Sequence, residues 1–207
     1  MIKNVIFDIG MVLVHFRYRE YMLELGMTDE QIEAVASHMI FNPLWNEFDR
    51  GARPFSDVLD EMKAAHPDEA ALYDRFWEDP TRLCLSFPTT RDWLSGLKAR
   101  GYKLYLLSNY PEDLFRRHWE SSFSFTDLVD GKVISYEEKL TKPEAGIYKV
   151  LFERYHLDPA ECAYLDDRAV NVEAGRAFGM HCILVDGGQE KAAAELERIL
   201  AEDAQNI

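Results

Sequence analysis

Apolar residues fall along this chain in two different patterns. Near the start, Val5-Ile6-Phe7 is an unbroken β-favouring run that stops at a carboxylate, Asp8, with Gly10 close behind. Strands buried on both faces read as continuous apolar runs rather than as alternation. The same signature recurs at Leu104-Tyr105-Leu106-Leu107, ending in Ser108-Asn109, and at Cys162-Ala163-Tyr164-Leu165, ending in Asp166-Asp167. His181-Cys182-Ile183-Leu184-Val185 is a further run, and a short strand is predicted over residues 129–135.

Helical stretches separate these strands. One begins at Thr89-Thr90-Arg91-Asp92 and stops at Arg100-Gly101, where glycine suits a C-cap. Pro111 opens another, at a position where its missing N–H costs little. A third follows Thr141-Lys142-Pro143-Glu144 and runs to His156; a fourth spans residues 169–178 before Gly179; a charged helix from Gln189 closes the chain. Strands alternating with helices predict βαβ units, a parallel sheet and right-handed crossovers.

Residues 17–86 break the alternation. They read as several short helices with no convincing strand. Thr28 and Gln31 have the spacing of a capping box. Pro54 and Ser56 open a second helix, which runs to His66-Pro67, and Asp68 opens a third, ending near Asp79-Pro80. The expected architecture is an α/β, Rossmann-like parallel-sheet core (residues 1–15 and 87–207) with a small α-helical cap (residues 16–86) inserted after the first strand.

Composition narrows the function classes. The 207 residues are 47% apolar and 29% charged, an ordinary balance for a globular protein. The formal net charge of −14 argues against non-specific nucleic-acid binding. That field also repels small anions, so any anion site must be locally positive. Cys84, Cys162 and Cys182 show no paired spacing, which fits a reducing compartment. No signal peptide and no apolar stretch long enough to span a membrane is visible, so the cytoplasm is the expected location and no membrane partner is expected.

Strands of a parallel sheet point the same way, so Asp8, Ser108-Asn109 and Asp166-Asp167 can converge on one edge, where open α/β sheets bind ligands. Any one of these is ordinary punctuation: a turn Asp, a helix N-terminal turn, an N-cap. Three together, with Lys142 opening a nearby helix, point to chemistry. Asp8 and Asp167 make a hard oxygen site suited to Mg²⁺. Ser108, Asn109 and Lys142 supply donors for an anion, assisted by helix N-termini. A cation on two carboxylates beside an anion cradle is what phosphoryl transfer needs.

These segments resemble the four motifs of the haloacid dehalogenase-like hydrolase superfamily, over essentially the whole chain. The helical insert resembles that of the subgroup with a small α-helical cap. Phe7-Asp8-Ile9-Gly10, Pro43-Leu44-Trp45, Arg50-Gly51, Leu107-Ser108-Asn109, Lys142-Pro143-Glu144 and Leu165-Asp166-Asp167 are similar to bacterial sugar-phosphate phosphatases, the YihX-like α-D-glucose-1-phosphate phosphatases in particular. The resemblance implies that Asp8 is the nucleophile and forms an aspartyl-phosphate. It implies that Asp8, the Gly10 carbonyl and Asp167 hold Mg²⁺. Ser108 and Asn109 would hold the phosphoryl oxygens, Lys142 would offset charge, and Asp166 with Asn171 would orient the metal site and Lys142. The implied partner is a small phosphorylated metabolite, and the implied assembly a monomer or weak homodimer.

One position departs from the family pattern. Most members carry a second Asp two residues after the nucleophile, as general acid and base; here that position is Gly10. A better leaving group, such as the hemiacetal oxygen of a hexose 1-phosphate, would tolerate the loss; otherwise another group supplies the proton, with His15 the nearest in sequence. In the cap, Trp45, Asn46, Phe48, Asp49 and Arg50 combine aromatic and hydrogen-bonding groups, and packing is the expected role for most of them. The rival functions are a 2-haloacid dehalogenase, a non-catalytic phosphate-binding regulatory module, and a phosphatase for phosphoproteins or nucleotides.

Overall fold

The computed structural model describes residues 1–205. Its elements in order are β1 (Asn4–Phe7), β2 (Val14–Phe16), α1 (Tyr18–Glu24), α2 (Asp29–Val35), α3 (Trp45–Arg50), α4 (Phe55–Ala65), α5 (Ala70–Glu78) and β3 (Cys84–Ser86). There follow α6 (Thr90–Ala99), β4 (Lys103–Ser108), α7 (Glu112–Ser121), β5 (Gly131–Ile134), α8 (Ser135–Glu138), α9 (Ala145–Tyr155), β6 (Cys162–Asp166), α10 (Ala169–Ala177), β7 (His181–Leu184) and α11 (Gln189–Gln205).

Five strands form one parallel sheet in the order β5-β4-β1-β6-β7. Residues of β1 alternate between two cores. Val5 and Phe7 join Leu104, Leu106, Ala163 and Leu165 on one face. Ile6 joins Tyr105, Leu107, Cys162 and Tyr164 on the other, packed on Ile147, Tyr148 and Leu151 of α9. Both faces are therefore buried, which is why the strands read as uninterrupted apolar runs. Strand order reverses at β1, the topological switch point where such sheets bind ligands.

The chain leaves the sheet after β1 and returns through a two-stranded antiparallel ribbon, with Val14 opposite Ser86 and Phe16 opposite Cys84. The sequence shows no convincing strand in this region, yet β3 forms. Three residues are too few to display a period, and pairing with β2 settles the conformation. Between the ribbon strands lie the five cap helices and a π-helical turn at Ala36–Ile40. The Thr28–Gln31 capping box is present in both directions, at 3.3 and 3.0 Å. An aromatic cluster of Trp45, Phe48, Phe55, Phe76 and Trp77 holds the cap together. Among the described residues no helix is long and apolar enough to cross a membrane.

Candidate active site

Register brings the polar strand ends together. Phe7 pairs with Leu106 on one side and Leu165 on the other, so β1, β4 and β6 end at one height. Asp8, Ser108 and Asp166 follow at that edge. The Asp8 N–H donates to Leu165 O at 2.9 Å, extending the ladder by one residue and aiming the carboxylate out of the sheet's end.

Lys142 enters from the loop between α8 and α9. Its ammonium, only 3% exposed, lies 2.8 Å from Asp8 Oδ1 and 2.6 Å from Asp166 Oδ2, and donates to Leu107 O at 2.8 Å. Burial works to lower the Lys142 pKa, but the charges of Asp166 and Asp8 outweigh it and raise it. Burial raises Asp8, Lys142 opposes, and Asp166 adds to the rise. The Ser108 hydroxyl, which donates to Asn109 O at 3.5 Å, also works to lower the Asp8 pKa.

Asp166 is fully buried and saturated. Its carboxylate accepts from Lys142 Nζ, from Tyr164 Oη at 2.5 Å, from Arg168 N at 2.8 Å and from Asn171 Nδ2 at 2.9 Å. These bonds and Lys142 hold it ionised, below the usual carboxylate range, against the effect of burial. Asp166 and Asn171 thus position Lys142. Tyr164 completes this set without having stood out in the sequence. The signal was there: a tyrosine in an otherwise apolar strand must find a partner for its hydroxyl.

Asn109 has a contact that the sequence does not show. Its side-chain amide donates to Lys142 O at 3.0 Å and accepts from Lys142 N at 2.8 Å. The side chain therefore clamps the lysine's backbone. The bracket forms because the loop's peptide groups at Lys142 lie within reach and would otherwise go unpaired, and Asn109 also lines the cavity beside Asp8.

Asp8, Gly10, Asn109 and Asp167 line one cavity of 190 Å³, with Met11, Phe16, Trp45, Asp49, Cys84, Tyr110, Pro111 and Leu114. Carboxylate oxygens of Asp8, Asp166 and Asp167 lie within 4.8 Å of one another. Asp167 has no ion-pair partner among the described residues, and burial followed by the charges of Asp8 and Asp166 pushes its pKa up to about 7. Three clustered carboxylates against one ammonium leave an excess of negative charge. Hard oxygen donors with that excess fit a divalent cation such as Mg²⁺ on Asp8 and Asp167, with Gly10 on the same wall.

Of the cap residues, Trp45 and Asp49 reach this cavity. Phe48 is buried in the aromatic cluster. Arg50 instead pairs with Glu144 at 2.5 Å and donates to Lys139 O and Thr141 Oγ1, tying the cap to the lysine loop. His15 sits in β2, stacks on Phe87 and borders a separate recess with Met11 and Asp167. Asp49, named in the sequence only among cap residues expected mostly to pack, lines the cavity, and so does Tyr110, which the sequence does not single out.

Comparison with known proteins adds the following. The family model described as haloacid dehalogenase-like hydrolase matches residues 2–179. A D-ribitol-5-phosphate phosphatase of Bacteroides thetaiotaomicron is 25% identical over 205 residues, covering 92% of this chain and 95% of that protein. A sesquiterpene phosphatase of Aspergillus oryzae is 25% identical, covering 86% and 87%. A crystal structure of a family enzyme from Bacteroides thetaiotaomicron, in complex with magnesium and inorganic phosphate, superposes with a TM-score of 0.70 at 20% identity, covering 89% of this chain and 94% of that one.

Proposed function

This chain belongs to the haloacid dehalogenase-like hydrolases, and on that premise we propose that it is a Mg²⁺-dependent phosphatase of small phosphomonoesters, with Asp8 as its nucleophile. The observation that carries the reading is the contact between Asp8 and the buried Lys142, 2.8 Å apart, with Asp8 and Asp167 lining one cavity. A buried carboxylate in contact with a lysine at the carboxyl end of a parallel sheet is placed as a nucleophile for phosphorus. A relative of nearly equal length that hydrolyses D-ribitol 5-phosphate supports the same reaction class.

In this reading an Asp8 oxygen attacks phosphorus and the ester oxygen leaves, giving an aspartyl-phosphate that water then hydrolyses. Lys142 opposes the rise in the Asp8 pKa and offsets the charge brought by the phosphate. Ser108 offers its hydroxyl to a phosphoryl oxygen. Asn109 fixes the lysine's backbone, while Asp166, Asn171 and Tyr164 fix its ammonium. Asp8, Asp167 and the Gly10 carbonyl would hold Mg²⁺, which supplies charge neutralisation at the phosphoryl oxygens when bound. Residues 1–15 and 87–207 form the catalytic core and residues 16–86 the cap that screens the reaction from bulk water.

The finer part of the reading is a sugar phosphate, such as a hexose 1-phosphate, in the cytoplasm. Gly10 supplies no acid beside the nucleophile, which suits a better leaving oxygen, and the faces of Trp45 and Phe16 offer a sugar ring apolar walls. The test is phosphate release from a panel of hexose 1-phosphates, hexose 6-phosphates and pentitol phosphates, with Mg²⁺ and with excess chelator. Turnover that needs Mg²⁺, vanishes in Asp8→Asn and is strongest on 1-phosphates is the expected result. Even turnover across the panel would discard the anomeric preference and keep the phosphatase. No phosphate release, with halide release from 2-haloacids instead, would overturn the reading.

A further inference from the structure

Phosphomonoester hydrolysis needs a proton on the departing alkoxide, and Gly10 brings no side chain to deliver one. Five titratable side chains line the cavity: Asp8, Asp49, Cys84, Tyr110 and Asp167. Asp8 is committed to phosphorus and Asp167 to the cation. Burial pushes the Cys84 thiol up to about 12 and the Tyr110 phenol well above its ordinary value. Tyr110 is also occupied, its hydroxyl hydrogen-bonded to His118 at 2.8 Å. Asp49 remains.

Asp49 is the penultimate residue of α3 and 9% exposed. Its backbone is anchored to the core, since Ser135 Oγ donates to Asp49 O at 2.5 Å and accepts from Tyr110 N at 2.9 Å. Arg50, next in the chain, is pinned to Glu144. Asp49 thus reaches from the cap helix α3 into the cavity that Asp8 also lines. Among the described residues it forms no ion pair. A leaving group departing away from Asp8 moves toward the cap, where Asp49 lines the wall.

Building on the phosphatase reading above, we propose that Asp49, delivered by the cap, is the general acid for the leaving oxygen and the general base for the water that follows. In the first step Asp8 Oδ bonds to phosphorus, the P–O bond to the alcohol breaks, and the Asp49 proton passes to the departing oxygen, releasing a neutral alcohol. In the second, the Asp49 carboxylate takes a proton from water as the water oxygen bonds to phosphorus. The P–O bond to Asp8 breaks, returning the Asp8 carboxylate, hydrogen phosphate and protonated Asp49. The groups around Asp49 favour a proton-holding state near neutrality: burial and the Asp8 charge push its pKa up to about 7, against the charges of Arg168 and Lys142. An acid near its working pH is effective in both directions. With Asp49 in this role an acid is present despite Gly10, so the 1-phosphate preference proposed above is one of degree and poorer leaving oxygens are also cleaved.

The test compares two leaving groups in wild type, Asp49→Asn and Asp49→Glu. p-Nitrophenyl phosphate releases a stable phenolate that needs no proton; the other substrate is the sugar phosphate that wild type hydrolyses fastest. Single-turnover alcohol or phenolate release isolates the first step. Asp49→Asn is expected to slow release from the sugar phosphate by about 10²–10⁴-fold, the usual range for general acid catalysis, and from p-nitrophenyl phosphate far less. Asp49→Glu is expected to recover part of the loss. Equal slowing of both substrates, the signature of a residue that only seats the cap, would overturn the proposal, and so would unimpaired sugar-phosphate cleavage. Wild type inert toward both phosphates would instead sink the phosphatase reading, and this inference with it.

Discussion

Arg50 of the cap and Glu144 of the core meet in a two-pronged ion pair, Nη2 to Oε1 at 2.5 Å and Nη1 to Oε2 at 3.3 Å. Glu144 stands two residues beyond Lys142, so a single contact couples cap position to the loop that carries the catalytic ammonium. The hydrogen bond from Arg50, followed by that from Thr141, holds the Glu144 carboxyl down at about 2. A depressed carboxylate contributes stability that is present above its unfolded pKa and lost as pH falls through its folded value. The latch is therefore intact above pH 4.5 and weakens between there and pH 2. Limited proteolysis of the cap linkers from pH 6 down to pH 3 is expected to show faster cleavage as acid increases, and Glu144→Gln is expected to flatten that dependence. Identical profiles for both proteins would exclude the latch.

Asp166 carries the structural burden of the site. Replacing it by Asn leaves the Lys142 ammonium with one carboxylate, and breaking a buried ion pair costs about 3–5 kcal/mol. Tyr164→Phe removes one of its hydrogen bonds and is expected to cost about 1–3 kcal/mol. Urea unfolding should rank the variants in that order. A Tyr164→Phe midpoint equal to wild type would show that its hydroxyl is not needed to hold Asp166.

Asn109→Ala removes both hydrogen bonds that clamp the Lys142 backbone. The expected result is a fall in kcat of about tenfold or more, with a smaller change in KM, the pattern of a positioning residue whose loss is felt in the transition state. Steady-state kinetics on the best substrate checks this. A rise in KM alone would return Asn109 to the phosphate-binding role read from the sequence.

Gly10 has room around it: a Cβ placed there meets no heavy atom within 4 Å. Gly10→Asp is therefore expected to fold with a Tm close to wild type. In the Asp49→Asn background it is expected to restore sugar-phosphate cleavage by about tenfold or more, by supplying an acid from the core side. A large loss of Tm in Gly10→Asp would contradict the open space, and no restoration would show that a carboxyl at that position cannot reach the leaving oxygen.

Much of this site was legible because parallel strands end together. Asp8, Ser108 and Asp166 each close an apolar run, and a parallel sheet gathers such ends on one edge without any knowledge of side-chain contacts. The capping box at Thr28 and the glycine stop at Gly101 were legible for the same local reason. Asp49 was legible only as one of five aromatic and polar cap residues, because a short amphipathic helix with Trp45, Phe48 and Asp49 shows which face is apolar but not what that face covers. The turn of Asn109 toward Lys142 was not legible, since it depends on two loops 33 residues apart meeting in space. Strand β3 escaped notice because its conformation comes from pairing with β2 rather than from its own three residues.

The central claim is covalent chemistry at Asp8. Wild type mixed with p-nitrophenyl phosphate and Mg²⁺, acid-quenched within one turnover and digested, is expected to yield a phosphorylated peptide spanning residues 4–10. That label should be sensitive to hydroxylamine, as an acyl phosphate is, and absent from Asp8→Asn. Phosphate release by wild type with no label at any quench time, or normal turnover by Asp8→Asn, would contradict the account.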